Sequence, residues 1–183
     1  EIVSGTQDKF YGGSTACFVS IEPMLGVLNG VNIGDSGWRV VRGGEVVAAS
    51  HEQRHSLFTP WQLCKPWDGL DVIDDDPASA DAQDVDLLPG DVVVVATDGL
   101  YDNLYDDEIA KIVKESESYM SAMELATELV KTAVPLMMQK DVVSPFSSRA
   151  SEEGLFVMGG KVDDITVCVA KILLDDEDDN AEE

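Results

Sequence analysis

The stretch Val92-Val93-Val94-Val95-Ala96-Thr97-Asp98-Gly99 decides the fold of this chain. Its apolar residues follow one another without polar alternation, which predicts a β-strand that is buried on both faces. A carboxylate directly after such a strand is held firmly at the end of a sheet, where an ion and solvent can reach it. Gly99 leaves room for backbone or water to approach closely. The stretch therefore predicts a central strand that ends at a candidate metal ligand, Asp98.

A second apolar run lies near the end of the sequence, at residues 165–173, and two aspartates precede it directly. Asp163 and Asp164 thus occupy the same kind of position as Asp98, at the end of a strand predicted to be buried. Carboxylate oxygens in such places suit the hard cations Mg²⁺ and Mn²⁺. The alternative is that all three are turn aspartates whose side chains bond their own backbone.

The first half of the sequence predicts further strands. Two runs rich in Val, Ile and Thr occupy residues 14–21 and 25–33. Gly43-Gly44 separates two more β-branched runs, which predicts a hairpin because a two-residue primed turn needs positive φ. Residues 51–88 show little periodicity and contain many Pro and Asp residues, which indicates a long irregular connection.

Two helices are predicted before the closing strand, at residues 107–113 and 121–138. Ser121 and Glu124 are spaced as a capping box at the start of the longer helix. Apolar residues then recur at i, i+3 and i+4, so one face of this helix should pack on a sheet. Pro135 should kink the helix or end it early. Strands, then helices, then a closing strand predict an α+β sandwich.

Length and charge bound the class of protein. The 183 residues suit one domain or most of one. A formal net charge of −24 argues against nucleic acid and anionic membrane surfaces as partners. No apolar run approaches the roughly 18 residues that a membrane span needs. The acids cluster at residues 68–86 and in the tail at 175–183, which are interpreted as a solvated loop and a disordered tail.

Three cysteines, Cys17, Cys64 and Cys168, form no CxxC pair. Cys17 and Cys168 lie inside apolar runs and are predicted to be small buried hydrophobes.

His51-Glu52-Gln53-Arg54-His55 spells the H-E-x-x-H signature of zinc proteases. That signature works because a helix places both imidazoles on one face, beside a catalytic glutamate. Here it follows a predicted hairpin strand and runs into Thr59-Pro60, without helical periodicity. We interpret it as loop sequence, and a zinc hydrolase remains the least favoured hypothesis.

Four short motifs occur in order along the chain. They are Gly13-Ser14-Thr15-Ala16, Asn32-Ile33-Gly34-Asp35-Ser36, Asp98-Gly99-Leu100-Tyr101-Asp102 and Gly160-Lys161-Val162-Asp163-Asp164. In this order they resemble the motifs of the type-2C, or PPM, family of metal-dependent protein phosphatases. Segments such as Gln53-Arg54-His55 and Ser144-Pro145-Phe146 resemble the mitochondrial and plastid branch of that family.

The resemblance implies a β-sandwich flanked by helices and the hydrolysis of phosphoserine and phosphothreonine in a phosphoprotein substrate. It also implies Mn²⁺ or Mg²⁺ as cofactor and a metal-activated water in place of a catalytic side chain. Asp98 and Asp163 match the acids that hold the inner metal of the dinuclear centre. Asp102 and Asp35 match acids used for a looser third metal. Asp164 stands where many relatives have Asn.

Other motifs of the family have no match in the sequence. These are the first ones, which hold a phosphate-binding Arg, an acidic ligand and the bridging Asp of DG-x-GG. We therefore expect residues 1–174 to be the C-terminal two-thirds of one phosphatase domain, followed by the tail at 175–183. Such a chain carries about half of the dinuclear site and should be inactive alone. The alternative is a non-catalytic binding module with vestigial carboxylates, whose acidic loop meets a basic partner.

Overall fold

The computed structural model of the protein describes residues 11–65, 72–116 and 119–173. Its strands are β1 (Gly12–Ser14), β2 (Ala16–Glu22), β3 (Val27–Ile33), β4 (Gly37–Arg42), β5 (Glu45–Ala49), β6 (Arg54–Ser56), β7 (Thr59–Pro60), β8 (Leu63–Lys65), β9 (Asp81–Asp86), β10 (Val92–Ala96) and β11 (Val167–Lys171). Its helices are α1 (Asp98–Tyr101), α2 (Asp106–Ser116), α3 (Ala122–Met137) and α4 (Pro145–Glu152), with a 3₁₀ turn at Pro77–Ser79. The acidic tail and part of the acidic cluster lie outside the described residues.

The central sheet is antiparallel and has the strand order β11-β10-β4-β5. Val92 and Val94 of β10 face the helices, where they join a core with Leu125 and Leu129 of α3. Val93 points to the opposite face. All three valines are buried. The prediction of a central strand buried on both faces is confirmed.

A three-stranded antiparallel sheet, in the order β2-β3-β9, covers the second face of the central sheet. Leu28 of β3 and Trp38 of β4 are fully buried between the two sheets. Helix α2 packs on β4 and β5, and α3 packs on β11. The predicted α+β sandwich is confirmed. On the outer face of the three-stranded sheet, Phe18 is 70% exposed.

The predicted hairpin is also confirmed. Gly43 and Gly44 join β4 to β5 with φ values of +60° and +88°. A primed turn needs this left-handed backbone at both central positions.

The connection at residues 51–88 is more ordered than the sequence predicts. It contains three short strands, β6 to β8, and β9, which pairs with β3 from Asn32 to Val27. The sequence of β9 is Asp-Ala-Gln-Asp-Val-Asp, and only Val85 joins the core on one face. Because the edge of β3 supplies the backbone partner, β9 forms with little hydrophobic signal of its own.

The helices follow their predicted caps. Ser121 and Glu124 form both bonds of the capping box, and the helix ends at Met137, two residues after Pro135. Helix α4 was not predicted, although its start carries the usual signals. Ser144 caps it and Pro145 takes its first turn.

The prediction of buried cysteines is wrong for Cys168, which is exposed. It lies on β11, an edge strand of the central sheet within the described residues, and points away from the helices. Cys17 is half-buried, and burial raises its pKa to about 11, against the opposing charge of Arg39.

Among the described residues, no helix combines the length and apolar character that a membrane span requires.

An ion pair fastens the turn before β10. The Asp91 side chain has no exposed surface, and it accepts hydrogen bonds from Arg42 Nε and a terminal Arg42 nitrogen, both at 2.7 Å. It also accepts one from the Leu88 amide at 2.8 Å. Burial alone would raise the pKa of Asp91, but the Arg42 and Leu88 hydrogen bonds outweigh burial and lower it.

Replacing this carboxylate should destabilise the fold. We expect Asp91→Asn to lower the free energy of unfolding by about 2–3 kcal/mol at pH 7, because Arg42 and the Leu88 amide lose a charged acceptor. The lowered pKa means that this contribution is present above the unfolded value near 4 and is lost as the pH falls through the folded value. Urea denaturation at pH 7 and in acid should therefore show a difference that shrinks on acidification.

Asp141→Asn is the matched control, because Asp141 is exposed and should change stability by no more than about 0.5 kcal/mol. Equal stability of the two variants at pH 7 would contradict the role of Asp91.

Candidate metal centre

The candidate centre lies at one end of the central sheet. Strands β10 and β11 are antiparallel neighbours, with Ala96 opposite Val167. The residues that follow β10 therefore meet the residues that precede β11. Thr97 fastens this junction, since its amide donates to Thr166 O and its hydroxyl donates to Asp164 O, both at 3.1 Å.

The single turn α1 places two aspartates on the same side of the junction. Asp98 is its first residue, and the Asp102 amide donates to Asp98 O at 2.7 Å. Residues four apart on a helical turn are neighbours. Gly99 permits the close approach of the β11 side, because a Cβ there would lie 2.3 Å from Asp164 O.

Three carboxylates converge on one ammonium group. Lys161 Nζ lies 2.6 Å from Asp98 Oδ2, 2.7 Å from Asp102 Oδ2 and 3.2 Å from Asp163 Oδ2. We call Asp98, Asp102 and Asp163 the aspartate cluster. Asn103 holds the lysine backbone in place, since its side chain accepts from Lys161 N at 3.0 Å and donates to Lys161 O at 2.9 Å.

Two arginines neutralise the charge of Asp102, the most buried member of the aspartate cluster. Asp102 has 1% of its side chain exposed, and its second oxygen contacts Arg149 and, at 3.4 Å, Arg54. Arg54 also lies 3.3 Å from Asp35 Oδ2 and pairs with Glu52. Asp35 therefore joins the network through Arg54.

Burial and charge act in opposite directions on the pKa values of the network. Burial would lower the pKa of the Lys161 ammonium, but its hydrogen bonds to Asp102 and Asp98 outweigh burial and raise it. Burial raises the pKa of Asp102 despite Lys161, Arg149 and Arg54, and it raises that of Asp35 despite Arg54. A simple ion pair would lower the pKa of the acid. Asp102 differs because it is more deeply buried than Lys161, so desolvation dominates.

The aspartate cluster has the donor chemistry of a hard-cation site. Its oxygens already surround a positive charge, and the side chains of Asp98 and Asp163 are 21% and 38% exposed, so an ion from solvent can reach them. Within the described ranges, no set of three or more His, Cys, Asp or Glu side chains is arranged as a metal site. The ammonium of Lys161 takes up the position on which the oxygens converge. The cluster therefore supplies the type of donor atom that Mg²⁺ or Mn²⁺ prefers, with its oxygens arranged around the Lys161 ammonium.

All four motifs meet at one cleft of about 660 Å³. Its lining includes Thr15 from the first motif, Asp35 from the second, Asp98 from the third and Asp163 from the fourth. Thr15 and Ser36 are joined by a hydroxyl hydrogen bond of 3.0 Å. The structure thus brings Thr15 and Asp163, which are 148 positions apart in sequence, to the same cleft.

Sequence reasoning assigned no role to the basic residues of this network. Lys161 belongs to the fourth motif, and Arg54 lies inside the H-E-x-x-H stretch. Arg149 comes from α4, which was not predicted. A signal was available for Lys161 alone, because a lysine two residues before a ligand aspartate is close enough to reach it.

The H-E-x-x-H stretch does not form a metal-binding helix. Residues 51–53 lie outside regular structure and Arg54–Ser56 is strand β6. His51 Nδ1 lies 3.1 Å from Asp81 Oδ1, and His55 Nε2 lies 2.9 Å from Asp75 Oδ1. Each histidine therefore pairs with a different acid of the cluster at residues 68–86. The stretch is not a helix, but its second half is strand β6 and not the predicted loop.

Fold and site together define a class of protein: an α+β sandwich with carboxylates from adjacent central strands around one cleft. A family model described as "Protein phosphatase 2C" matches residues 75–141. The chain belongs to the protein phosphatase 2C family.

Two curated relatives show the extent of the similarity. The chain is 41% identical over 163 residues to "Protein phosphatase PTC7 homolog" of Homo sapiens, covering 87% of this chain and 54% of the relative. It is 36% identical over 168 residues to "Probable protein phosphatase 2C 80" of Arabidopsis thaliana, covering 91% of this chain and 39% of that protein. The chain spans about half the length of the PTC7 homologues that it matches.

Solved structures support the fold. The structure entitled "X-ray structure of the photosystem II phosphatase PBCP" matches with a TM-score of 0.79 at 28% identity, over 91% of this chain and 66% of the other. The catalytic domain of the phosphatase PstP "in complex with 2 Manganese ions" matches with a TM-score of 0.56 at 19% identity, over 88% and 59% of the two chains. At that identity, this second match shows the shared fold alone.

The pairing of the histidines leads to a prediction about zinc. Protein purified from zinc-supplemented medium should contain far less than one equivalent of Zn²⁺, because His51 and His55 are bound to separate acids. The double variant His51→Ala/His55→Ala should have the same zinc content by plasma mass spectrometry. Stoichiometric zinc that disappears in the double variant would restore the zinc-hydrolase hypothesis.

Proposed function

We propose that this chain is part of a metal-dependent protein serine/threonine phosphatase, corresponding to the C-terminal two-thirds of the catalytic domain. One observation carries the proposal. Asp98 and Asp163, held at the ends of adjacent strands, direct their carboxylates to one cleft and to one positive charge. Membership of the protein phosphatase 2C family supports the same function.

Each carboxylate has a proposed role. Asp98 and Asp163 would hold the inner ion, and Asp102 and Asp35 would serve a more loosely bound one. When bound, Mn²⁺ or Mg²⁺ would acidify a water molecule and neutralise charge on the phosphoryl group. The chain's own contribution is position: the β10–β11 register holds Asp98 beside Asp163, and Asn103 fixes the backbone of Lys161 behind them.

The cleft suits a phosphoprotein substrate. Its lining includes Asp98 and Asp163 together with Phe58, which is 66% exposed. A phosphorylated side chain that enters the cleft would bring its flanking residues against this apolar wall. The net charge of −24 makes nucleic acid a poor alternative, because like charges repel.

The mitochondrial or plastid location belongs to the same proposal. Its support is the resemblance of several segments to that branch, together with the similarity to a photosystem II phosphatase.

A non-catalytic binding module is the second candidate. One observation favours it: an ammonium lies at the centre of the aspartate cluster. In such a module the acidic segment around Asp75 and Asp81 would meet a basic partner. The two candidates differ in whether a divalent ion binds at Asp98.

Charge removal at the two ligands tests the phosphatase. In the parent enzyme that contains this chain, Asp98→Asn and Asp163→Asn should each reduce turnover of a phosphothreonine peptide at saturating Mn²⁺. We expect less than about a tenth of the wild-type rate, because an amide binds a hard cation weakly. Asp35→Asn should act more mildly. Circular dichroism should show the fold retained.

The exposed residue Asp141 again supplies the control, and Asp141→Asn should leave turnover unchanged. If either ligand variant keeps more than about a tenth of the wild-type turnover, that residue is not an essential ligand of the proposed centre.

The 183-residue chain itself should turn over little substrate. Without the bridging carboxylate, two cations would lie close together and lack the acid that most directly offsets their repulsion. We expect weak Mn²⁺ binding and a rate near background with a phosphothreonine peptide. A rate comparable to that of a full-length relative would show that other acids of this chain complete the centre.

A further inference from the structure

Lys161 is the residue of the cleft whose position the proposed phosphatase function leaves unexplained. Its ammonium has three N–H donors. Three carboxylate oxygens, one each from Asp98, Asp102 and Asp163, lie within 3.2 Å of the nitrogen. The ammonium donates hydrogen bonds to Asp98 and Asp102 and forms an ion pair with Asp163, so all three carboxylates of the aspartate cluster contact it.

The cluster needs a cation of some kind. Three carboxylates that share one point repel one another strongly away from bulk water, and an unpaired buried charge is costly. Within the aspartate cluster, Arg54 and Arg149 contact one oxygen of Asp102, the one that faces away from Lys161. The positive charge between Asp98 and Asp163 comes from Lys161 within the described residues.

The backbone of Lys161 is fixed, whereas its side chain borders open space. Asn103 binds both the amide and the carbonyl of Lys161. The side chain is 24% exposed, lies 5.8 Å from the centre of the Phe146 ring, and borders the open cleft. A flexible four-carbon stem on a fixed backbone can move the charge in and out without altering the fold.

We propose that Lys161 is a built-in competitor of the divalent ion. Its ammonium neutralises the aspartate cluster when no ion is bound, and it must withdraw into the cleft before an ion can bind Asp98 and Asp163. This inference rests on the proposed function for the identity of the two ligands. The competition weakens metal affinity and at the same time preserves the folded cluster in the absence of metal.

The first test measures Mn²⁺ binding by isothermal titration calorimetry, up to millimolar concentrations, on the 183-residue chain. Lys161→Met and Lys161→Gln should each bind Mn²⁺ about tenfold more tightly than wild type, because the ion no longer displaces a cation. Lys161→Gln keeps a hydrogen-bond donor, so agreement between the two variants assigns the effect to charge. Lys111→Met is the control, since Lys111 is 73% exposed and outside the cleft.

The second test needs no variant. Amine-reactive labelling of the wild-type chain, read by mass spectrometry, should modify Lys161 slowly without metal and several-fold faster with Mn²⁺. Lys111 should react at the same rate in both conditions. Unchanged or slower labelling of Lys161 would overturn the proposal, as would unchanged or weaker Mn²⁺ affinity in both Lys161 variants.

The failure of this proposal and the failure of the proposed function give different results. If Asp98→Asn abolishes Mn²⁺ binding while both Lys161 variants bind Mn²⁺ like wild type, Asp98 is a metal ligand and the proposed competition by Lys161 is wrong. If Asp98→Asn and the wild-type chain bind Mn²⁺ equally, the metal centre itself is wrong and the competition falls with it.

Discussion

The register of β10 against β11 is the constraint on which the site depends. Ala96 lies opposite Val167, so the chain leaves one strand at Thr97 and enters the other at Thr166 in the same place. A slip of one residue would turn every valine of β10 to the wrong face of a sheet that is buried on both sides. The core packing that fixes the register of β10 therefore also fixes the separation between Asp98, which follows β10, and Asp163, which precedes β11.

The second organising feature of the site is the neutralisation of Asp102 by basic residues that contact it directly. The whole chain is strongly acidic, yet three of its 12 basic residues, Arg54, Arg149 and Lys161, converge on the single carboxylate of Asp102. Such a buried group persists only when it is paired. Asp102 lies behind the cleft-facing members of the aspartate cluster, so its counterions also determine the charge that a substrate or an ion meets.

Two acids of the cluster at residues 68–86 have a structural role that the composition of the cluster does not indicate. Asp75 accepts from the Gln62 amide and contacts His55, while Asp81 accepts from the His51 amide and contacts its ring. Asp81 lies in β9 and Asp75 precedes the 3₁₀ turn, so these bonds attach the segment that carries Arg54 both to β9 and to the residues before it. In both acids burial would raise the pKa, but the hydrogen bonds lower it. Residues that resemble a zinc site thus serve to hold an arginine near the cleft.

Local sequence determined the central strand at residues 92–97, the Gly43-Gly44 turn and the capped helix α3, because each depends on neighbours within a few positions. The motifs containing Asp98 and Asp163 were likewise visible, and the family followed from their order. Only the tertiary structure decided that β9 pairs with β3, since the paired residues are far apart in sequence, as Val27 and Asp86 are. It also decided the position of Lys161, because the place of an ammonium among three carboxylates depends on the meeting of two strands and a helical turn, which no local pattern specifies.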